Sequence, residues 1–209
     1  MEKFNQQELD QLNRRFKGLP PEEIVLWAVE NSKNAVVTTN FRPYEAAILS
    51  VCSKVEPAMK VVWCDTGYNT PQTYKHAKEV IELLQLNVQY YSPKKTAAYR
   101  DAIFGGIPQV DSSLHEEFTK QVKLEPFQRA MKEQQPDLWF TNLRKGQTSF
   151  RDSIDILSYS KDGLLKVSPF YHFCDKELDV YMCEHNLPNE FKYFDPTKVL
   201  DNRECGLHA

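Results

Sequence analysis

Short apolar runs alternate with longer amphipathic stretches along most of the chain. The runs at 35–39, 61–65 and 88–91 are rich in β-branched and aromatic residues and are bounded by polar ones, a pattern typical of strands buried on both faces. Between them, residues 44–55 and 71–84 carry apolar side chains at helical spacing. Strands that alternate with helices in this way predict an α/β fold with a parallel sheet.

The pattern also predicts elements towards both ends of the chain. Two amphipathic stretches at 9–16 and 24–28 predict packing helices before the first strand. The charged stretch 94–124 predicts a helix, a turn and a long surface segment. The later elements are predicted as a helix at 125–134, strands at 138–141 and 164–167, and a helix at 176–185.

Length and charge narrow the possible functions. With 209 residues, of which 41% are hydrophobic, the chain is expected to form a single domain over 1–209. Its formal net charge of -3 provides no general attraction to nucleic acid or to an anionic membrane, so an anionic ligand needs a local basic cluster. The polar, acidic N-terminus and the lack of a run of about 20 apolar residues predict a cytoplasmic protein without a membrane partner.

Three loops follow predicted strands and would meet at the carboxyl edge of the sheet, where such folds bind ligands. Loop 38–43 could cradle a phosphate, although its lack of glycine favours a plain connection with a helix cap. Loop 65–71 holds an acid and a glycine, which alone is weak evidence of a nucleotide site. Loop 141–151 carries three cations, and we favour anion binding over a solvated charged turn there.

Five cysteines occur in the chain, at 52, 64, 174, 183 and 205, and none form a pair at the two-residue gap of common metal or redox sites. Cys205 lies between Arg203 and His208, and neighbouring cations favour the nucleophilic thiolate. The alternative is a bystander thiol in a frayed terminus. The other four cysteines are interpreted as packing residues, and the histidines show no metal-ligand spacing.

The segment Arg-Glu-Cys-Gly-Leu-His at 203–208 forms a compact motif around Cys205, and further motifs lie at 63–68, 71–74, 123–130 and 143–151. Through these motifs the chain, from about residue 20 to the end, resembles the phosphoadenosine phosphosulfate (PAPS) reductases. Segment 203–208 is similar to the catalytic signature of that family, 63–68 and 71–74 to its nucleotide loop, and 123–130 and 143–151 to two further family blocks.

The resemblance implies a doubly wound parallel sheet of the PP-loop class, related to adenine-nucleotide pyrophosphatases, with residues 189–209 as a C-terminal catalytic tail. It also implies a homodimer that reduces 3′-phosphoadenylyl sulfate to sulfite, with thioredoxin or glutaredoxin as the reductant. In that reaction the Cys205 thiolate attacks the substrate sulfur and becomes S-sulfonated.

The resemblance and the loops together assign the site residues. Cys205 is the expected catalytic nucleophile. The expected substrate-binding residues are Thr38, Thr39, Phe41, Arg42, Asp65, Thr66, Gly67, Lys123, Arg144, Lys145, Gln147, Thr148, Arg151, Arg203 and His208. Among them, Arg144, Lys145 and Arg151 are the candidates for stabilising the leaving phosphate.

Three departures from the family pattern bear on function. Arg42-Pro43 stands where relatives have serine and glycine, and the stretch 195–202 before the signature is short. The adjacent cysteine pairs that bind a four-iron cluster in adenylylsulfate reductases are missing, which predicts a cluster-free enzyme for the 3′-phosphorylated nucleotide. The alternatives are a cluster-free adenylylsulfate reductase and a nucleotide-binding homologue with altered catalysis. An ATP-pyrophosphatase-type activity fits less well, because it needs a Ser-Gly-Gly-like loop and no such cysteine.

Overall fold

The computed structural model describes residues 3–197, in which six strands form one sheet of order β3-β2-β1-β4-β6-β5. The strands are β1 (Ala35–Thr39), β2 (Lys60–Cys64), β3 (Asn87–Tyr91), β4 (Leu138–Phe140), β5 (Leu157–Tyr159) and β6 (Leu165–Val167). Neighbouring strands are parallel except β5, which runs antiparallel to β6. The predicted α/β class is confirmed, with a mixed rather than wholly parallel sheet.

Several helices begin at a residue whose side chain caps the first turn. The bounds of the helices are α1 (Gln6–Phe16), α2 (Pro21–Glu30), α3 (Glu45–Val55), α4 (Pro71–Leu84), α5 (Ala97–Phe104), α6 (Ser113–Thr119), α7 (Glu125–Gln134), α8 (Ser149–Asp152) and α9 (Asp175–Glu184). In α4, for example, the Thr70 hydroxyl accepts the Thr73 N–H at 3.0 Å, and Pro71 fits the first turn, which needs no N–H donor.

The direction of strand addition reverses beside β1. The chain adds β2 and then β3 on one side of β1, and later returns to place β4 on the other. Helix α7 covers one face of the sheet, where Ala130 joins Val36 and Trp139, whereas Val37 packs with Ile48 of α3 on the opposite face. Such a reversal opens a crevice at the carboxyl ends of the two central strands, where ligands bind in this class of fold.

The edge strand β5 is missing from the sequence prediction. It is only three residues long, too short to show a periodic pattern. Its outer backbone groups are partly satisfied by α1, because Asn13 donates from Nδ2 to the Leu157 carbonyl at 3.0 Å and accepts the Leu157 N–H at 2.7 Å. These bonds anchor the first helix and shield the edge from pairing with another strand.

The prediction of a long surface segment within 94–124 is wrong. The region contains α5, α6 and a π-helical turn (Lys120–Leu124), and the side chains of Phe118 and Val122 are fully buried. Isolated π-helical turns often occur at functional sites. Here the turn also buries a charged residue, Lys123, which is 3% exposed.

Candidate functional site

A small cavity lies at the reversal point, between the carboxyl ends of β1 and β4. Thr38 and Thr39 line it from β1, and Thr141 and Asn142 line it from the loop after β4. Its volume is about 70 Å³. Of the residues predicted to bind substrate, the cavity brings together Thr38, Thr39, Arg42, Lys123 and Arg151. Three of these five are cations, whereas two carboxylates, those of Glu45 and Asp195, also line the cavity. The lining therefore keeps a net positive charge, which suits an anionic group.

A buried carboxylate organises the loop after β1. Glu45, at the start of α3, accepts hydrogen bonds from the Thr39 hydroxyl and the Asn40 N–H, each at 2.7 Å to Oε2. Its Oε1 accepts Arg42 Nε at 2.8 Å. Glu45 was not predicted as a site residue. It takes up donors that the sequence analysis assigned to a phosphate, including the hydroxyl of Thr39.

The same loop adopts left-handed backbone at two residues other than glycine. Phe41 has φ 53° and Tyr44 has φ 67°, a region that costs roughly 1 kcal/mol or more for such residues. Each conformation is held by tertiary contacts. The Phe41 ring packs edge-on against Trp63 with centroids 4.8 Å apart, and the Tyr44 N–H donates to Asn189 Oδ1 at 2.9 Å. Phe41 therefore lies behind the cavity wall.

Arg42 connects the loops after β1 and β4. Besides its ion pair with Glu45, its Nη2 donates to the Asn142 carbonyl at 3.1 Å. The side chain remains 24% exposed and lines the cavity. Bonds to both walls of the crevice thus fix the orientation of the guanidinium.

The loop after β4 divides its cations between two places. Arg151 is 3% exposed and lines the cavity. Its side-chain Nη1 donates to Gln147 Oε1, and its backbone N–H donates to the Thr148 hydroxyl at 3.3 Å. Gln147 and Thr148 therefore hold Arg151 in position. Arg144 and Lys145 are not among the cavity-lining residues, and Lys145 is exposed.

Arg144 is engaged on the side of this loop that faces α9. Its Nη1 lies 2.6 Å from Asp175 Oδ1, and its guanidinium lies over the Tyr44 ring, 5.4 Å from the centroid. Burial, followed by the bond to Asp179, raises the pKa of Tyr44, so its hydroxyl stays protonated at neutral pH. This arrangement ties the loop to α3 and α9.

The loop after β2 lies beside the cavity rather than in its wall. Asp65 Oδ1 accepts the Gly67 N–H at 3.0 Å and the Tyr74 hydroxyl at 2.9 Å. Thr66 offers its carbonyl to Arg100 Nη2 at 3.1 Å. Gly67 has φ 79°, a conformation that favours glycine. The turn is therefore ordered by its own side chains at the same edge of the sheet.

A second carboxylate meets a cation inside the cavity. Lys123 Nζ lies 2.5 Å from Asp195 Oδ2, and their side chains are 4% and 7% exposed. Burial alone would raise the pKa of Asp195, but Lys123, together with hydrogen bonds from Thr197, holds that pKa below its ordinary value. Asp195 is therefore charged at neutral pH. The sequence analysis did not identify it as a site residue.

Four of the cysteines fall within the described residues. Burial raises the pKa of Cys64, which lines the cavity, to about 12, and raises that of the buried Cys52 further. Cys174 and Cys183 are exposed, so their interpretation as packing residues is wrong. Helix α9 buries a different set of side chains, including Leu178 and Met182. The predicted residues Arg203, Cys205 and His208 lie outside residues 3–197.

Residues 3–197 lack both a metal-binding cluster and a membrane-spanning helix. Within that span, no group of three or more His, Cys, Asp or Glu side chains is placed to hold a metal ion. None of the helices described there is both long enough and apolar enough to cross a bilayer.

The fold and the cavity define an α/β protein of the doubly wound type, with a cavity lined by Arg42, Lys123 and Arg151 at the topological switch point. Comparison with known proteins identifies its family. The model of the phosphoadenosine phosphosulfate reductase domain matches residues 34–194. The chain is 32% identical over 182 residues to the phosphoadenosine 5′-phosphosulfate reductase of Xylella fastidiosa (strain M23), covering 87% of this chain and 76% of the relative. The chain belongs to the phosphoadenosine phosphosulfate reductase family.

Solved structures agree with this assignment. A PAPS reductase from Candida auris, in a phosphate complex, superposes with a TM-score of 0.78 at 26% identity and covers 90% of each chain. An NH3-dependent NAD synthetase from Campylobacter jejuni reaches a TM-score of 0.57 at 12% identity, over 88% of this chain and 76% of that one. The second likeness concerns the fold alone.

Proposed function

We propose that this protein reduces 3′-phosphoadenylyl sulfate to sulfite and adenosine 3′,5′-bisphosphate, as an oxidoreductase acting on a sulfur group. The observation that carries this proposal is the cavity at the β1/β4 switch point, where Arg42, Lys123 and Arg151 converge in a chain of this family. The relative from Candida auris was solved as a phosphate complex, which supports an anion site in this fold.

In this proposal the nucleotide lies along the carboxyl edge of the sheet. The cavity residues Thr38, Arg42 and Arg151 contact its phosphosulfate group, while the turn at 65–67 contacts the adenosine. Guanidinium groups suit this role because they donate in parallel to phosphate and sulfate oxygens. As the sulfur–oxygen bond breaks, negative charge grows on the leaving phosphate, and these donors stabilise it.

Cys205 is the proposed nucleophile. Its thiolate attacks the sulfur of the sulfo group, and the bond from that sulfur to the phosphate oxygen breaks with its electron pair. Adenosine 3′,5′-bisphosphate leaves, and Cys205 becomes an S-sulfocysteine. A thiolate of reduced thioredoxin or glutaredoxin then attacks Cys205 Sγ and expels sulfite; a second thiol, of the reductant or of glutathione, resolves the mixed disulfide and restores Cys205.

The remaining proposals follow from the sequence and the family. We propose a cluster-free enzyme, because none of the five cysteines are adjacent in the chain. Thioredoxin or glutaredoxin is the proposed partner, and a cytoplasmic homodimer is the proposed form. Arg203 and His208, which flank the nucleophile, are proposed to contact the bound sulfonucleotide.

A direct assay tests the reaction. The protein is mixed with reduced thioredoxin and either 3′-phosphoadenylyl sulfate or adenylylsulfate, and sulfite is measured. We expect sulfite from the 3′-phosphorylated nucleotide, no sulfite from the Cys205→Ser variant, and unchanged release from Cys183→Ser, a matched control at an exposed cysteine. Sulfite from adenylylsulfate alone would contradict the proposed substrate.

A further inference from the structure

The cation Lys123 and the carboxylate of Asp195 come from parts of the chain 72 residues apart. Lys123 belongs to the π-helical turn before α7, whereas Asp195 belongs to the irregular segment that follows α9. Both side chains line the cavity, and they form a nearly buried ion pair. The Asp195 carboxylate is thus paired with a cation of a cavity that suits anionic ligands.

The Asp195 carboxylate stands in the part of the cavity that a bound anion would use. Tyr193 and Asp195, from the segment after α9, form part of the cavity lining. An anionic group that pairs with Lys123 from the cavity therefore competes with the Asp195 carboxylate.

The two carboxylates of the cavity lie in different kinds of structure. Glu45, the other carboxylate in the cavity, lies in the first turn of α3 and bonds to neighbours in its own loop. Asp195 lies in a segment without helix or strand, and its Oδ1 accepts bonds from Thr197, two residues further along. Displacing Asp195 breaks no ladder of backbone hydrogen bonds.

We propose that Asp195 occupies an anion subsite on Lys123, and that the sulfonucleotide displaces the Asp195 carboxylate from this lysine when it binds. This inference rests on the proposed function. A phosphate or sulfate oxygen replaces the carboxylate on the lysine, which keeps the buried cation paired. Competition by Asp195 lowers the apparent affinity, because only the fraction of molecules with Lys123 available can bind.

The exchange is tested by whether a substitution of Asp195 tightens or weakens nucleotide binding. Isothermal titration with adenosine 3′,5′-bisphosphate compares the wild type with Asp195→Asn and with Glu190→Gln, a control that removes a charge from the same segment. We expect Asp195→Asn to lower the Kd by roughly tenfold and Glu190→Gln to leave it unchanged. An equal or higher Kd for Asp195→Asn would mean that Asp195 is a fixed partner of Lys123 and would overturn the inference.

Two further variants keep the test decisive if Asp195→Asn folds poorly. Thr197→Val retains both charges but removes the hydroxyl that bonds Asp195 at 2.7 Å, and should lower the Kd by about threefold. In a Lys123→Gln background, Asp195→Asn should no longer tighten binding; tightening there would reveal a general charge effect and contradict the exchange. Failure of the inference would leave wild-type binding and sulfite release intact, whereas wild-type protein that binds no nucleotide would refute the proposed function as well.

Discussion

The Glu45 carboxylate holds the Arg42 guanidinium at the cavity wall, with Nε 2.8 Å from Oε1. The loop at 38–43 contains no glycine, and this pair gives it a side-chain framework instead. One carboxylate orders the loop from within, because it also accepts the Thr39 hydroxyl and the Asn40 N–H. The ion pair thereby presents a guanidinium to the ligand in a fixed orientation.

We expect Glu45→Gln to destabilise the fold by about 1–3 kcal/mol, because a buried acceptor of charge-assisted bonds is lost. Urea denaturation measures the free energy of unfolding. Glu82→Gln is the matched control, since Glu82 is 63% exposed and pairs with Lys78 on the surface. The control should change stability by less than about 0.5 kcal/mol. Equal losses in the two variants would contradict the role assigned to Glu45.

The Lys123–Asp195 pair predicts an acid-dependent loss of stability. The pKa of Asp195 lies below its ordinary value of about 3.9, so its contribution is complete above that pH and is lost as the pH falls through the folded-state pKa. Asp195→Asn should lower the free energy of unfolding by about 3 kcal/mol at pH 7 and by less at pH 3. Denaturant unfolding at the two pH values gives both differences. The same difference at both would show that the charge of Asp195 is not involved.

Arg151 and Arg144 should respond differently to the same substitution. Arg151 lines the cavity, so Arg151→Lys should raise the KM for the sulfonucleotide by about tenfold or more through loss of a charge-assisted bond. Arg144 pairs with Asp175 outside the cavity lining, so Arg144→Lys should change KM by less than about threefold. Steady-state sulfite release measures both values. A larger effect at Arg144 would place the substrate anion nearer α9.

The cavity cysteine should be unreactive. Burial raises the pKa of Cys64 to about 12, so almost no thiolate is present at neutral pH. Iodoacetamide at pH 7.5 should leave Cys52 and Cys64 unmodified in the folded protein and should label the exposed Cys174 and Cys183, as mass spectrometry can establish. Cys64→Ala should still release sulfite. Loss of turnover in a folded Cys64→Ala variant would make Cys64 part of the chemistry.

The sequence predicted the parts of the site that depend on local pattern. Alternating strands and helices place the loops after β1 and β4 at one edge, and the structure brings Thr38, Arg42 and Arg151 together there. Those residues could be found because parallel strands end at the same edge of a sheet.

The missed features depend on tertiary contacts. Glu45 offered a signal, as an acid three residues after Arg42, but a search for anion-binding residues passes over carboxylates. Asp195 had no local signal, since its partner is 72 residues away. Lys123 was predicted as a site residue, but its burial was missed, because it lies in a charged stretch that indicates a surface and packing of the π-helical turn buries it.

The proposed reaction depends most directly on the chemistry of Cys205. The measurement is peptide mass spectrometry after the protein is mixed with 3′-phosphoadenylyl sulfate in the absence of reductant. We predict that the peptide containing Cys205 gains one SO3 group, and that reduced thioredoxin removes it with release of an equal amount of sulfite. An adduct on another cysteine, or full sulfite release by Cys205→Ser, would contradict the proposed mechanism.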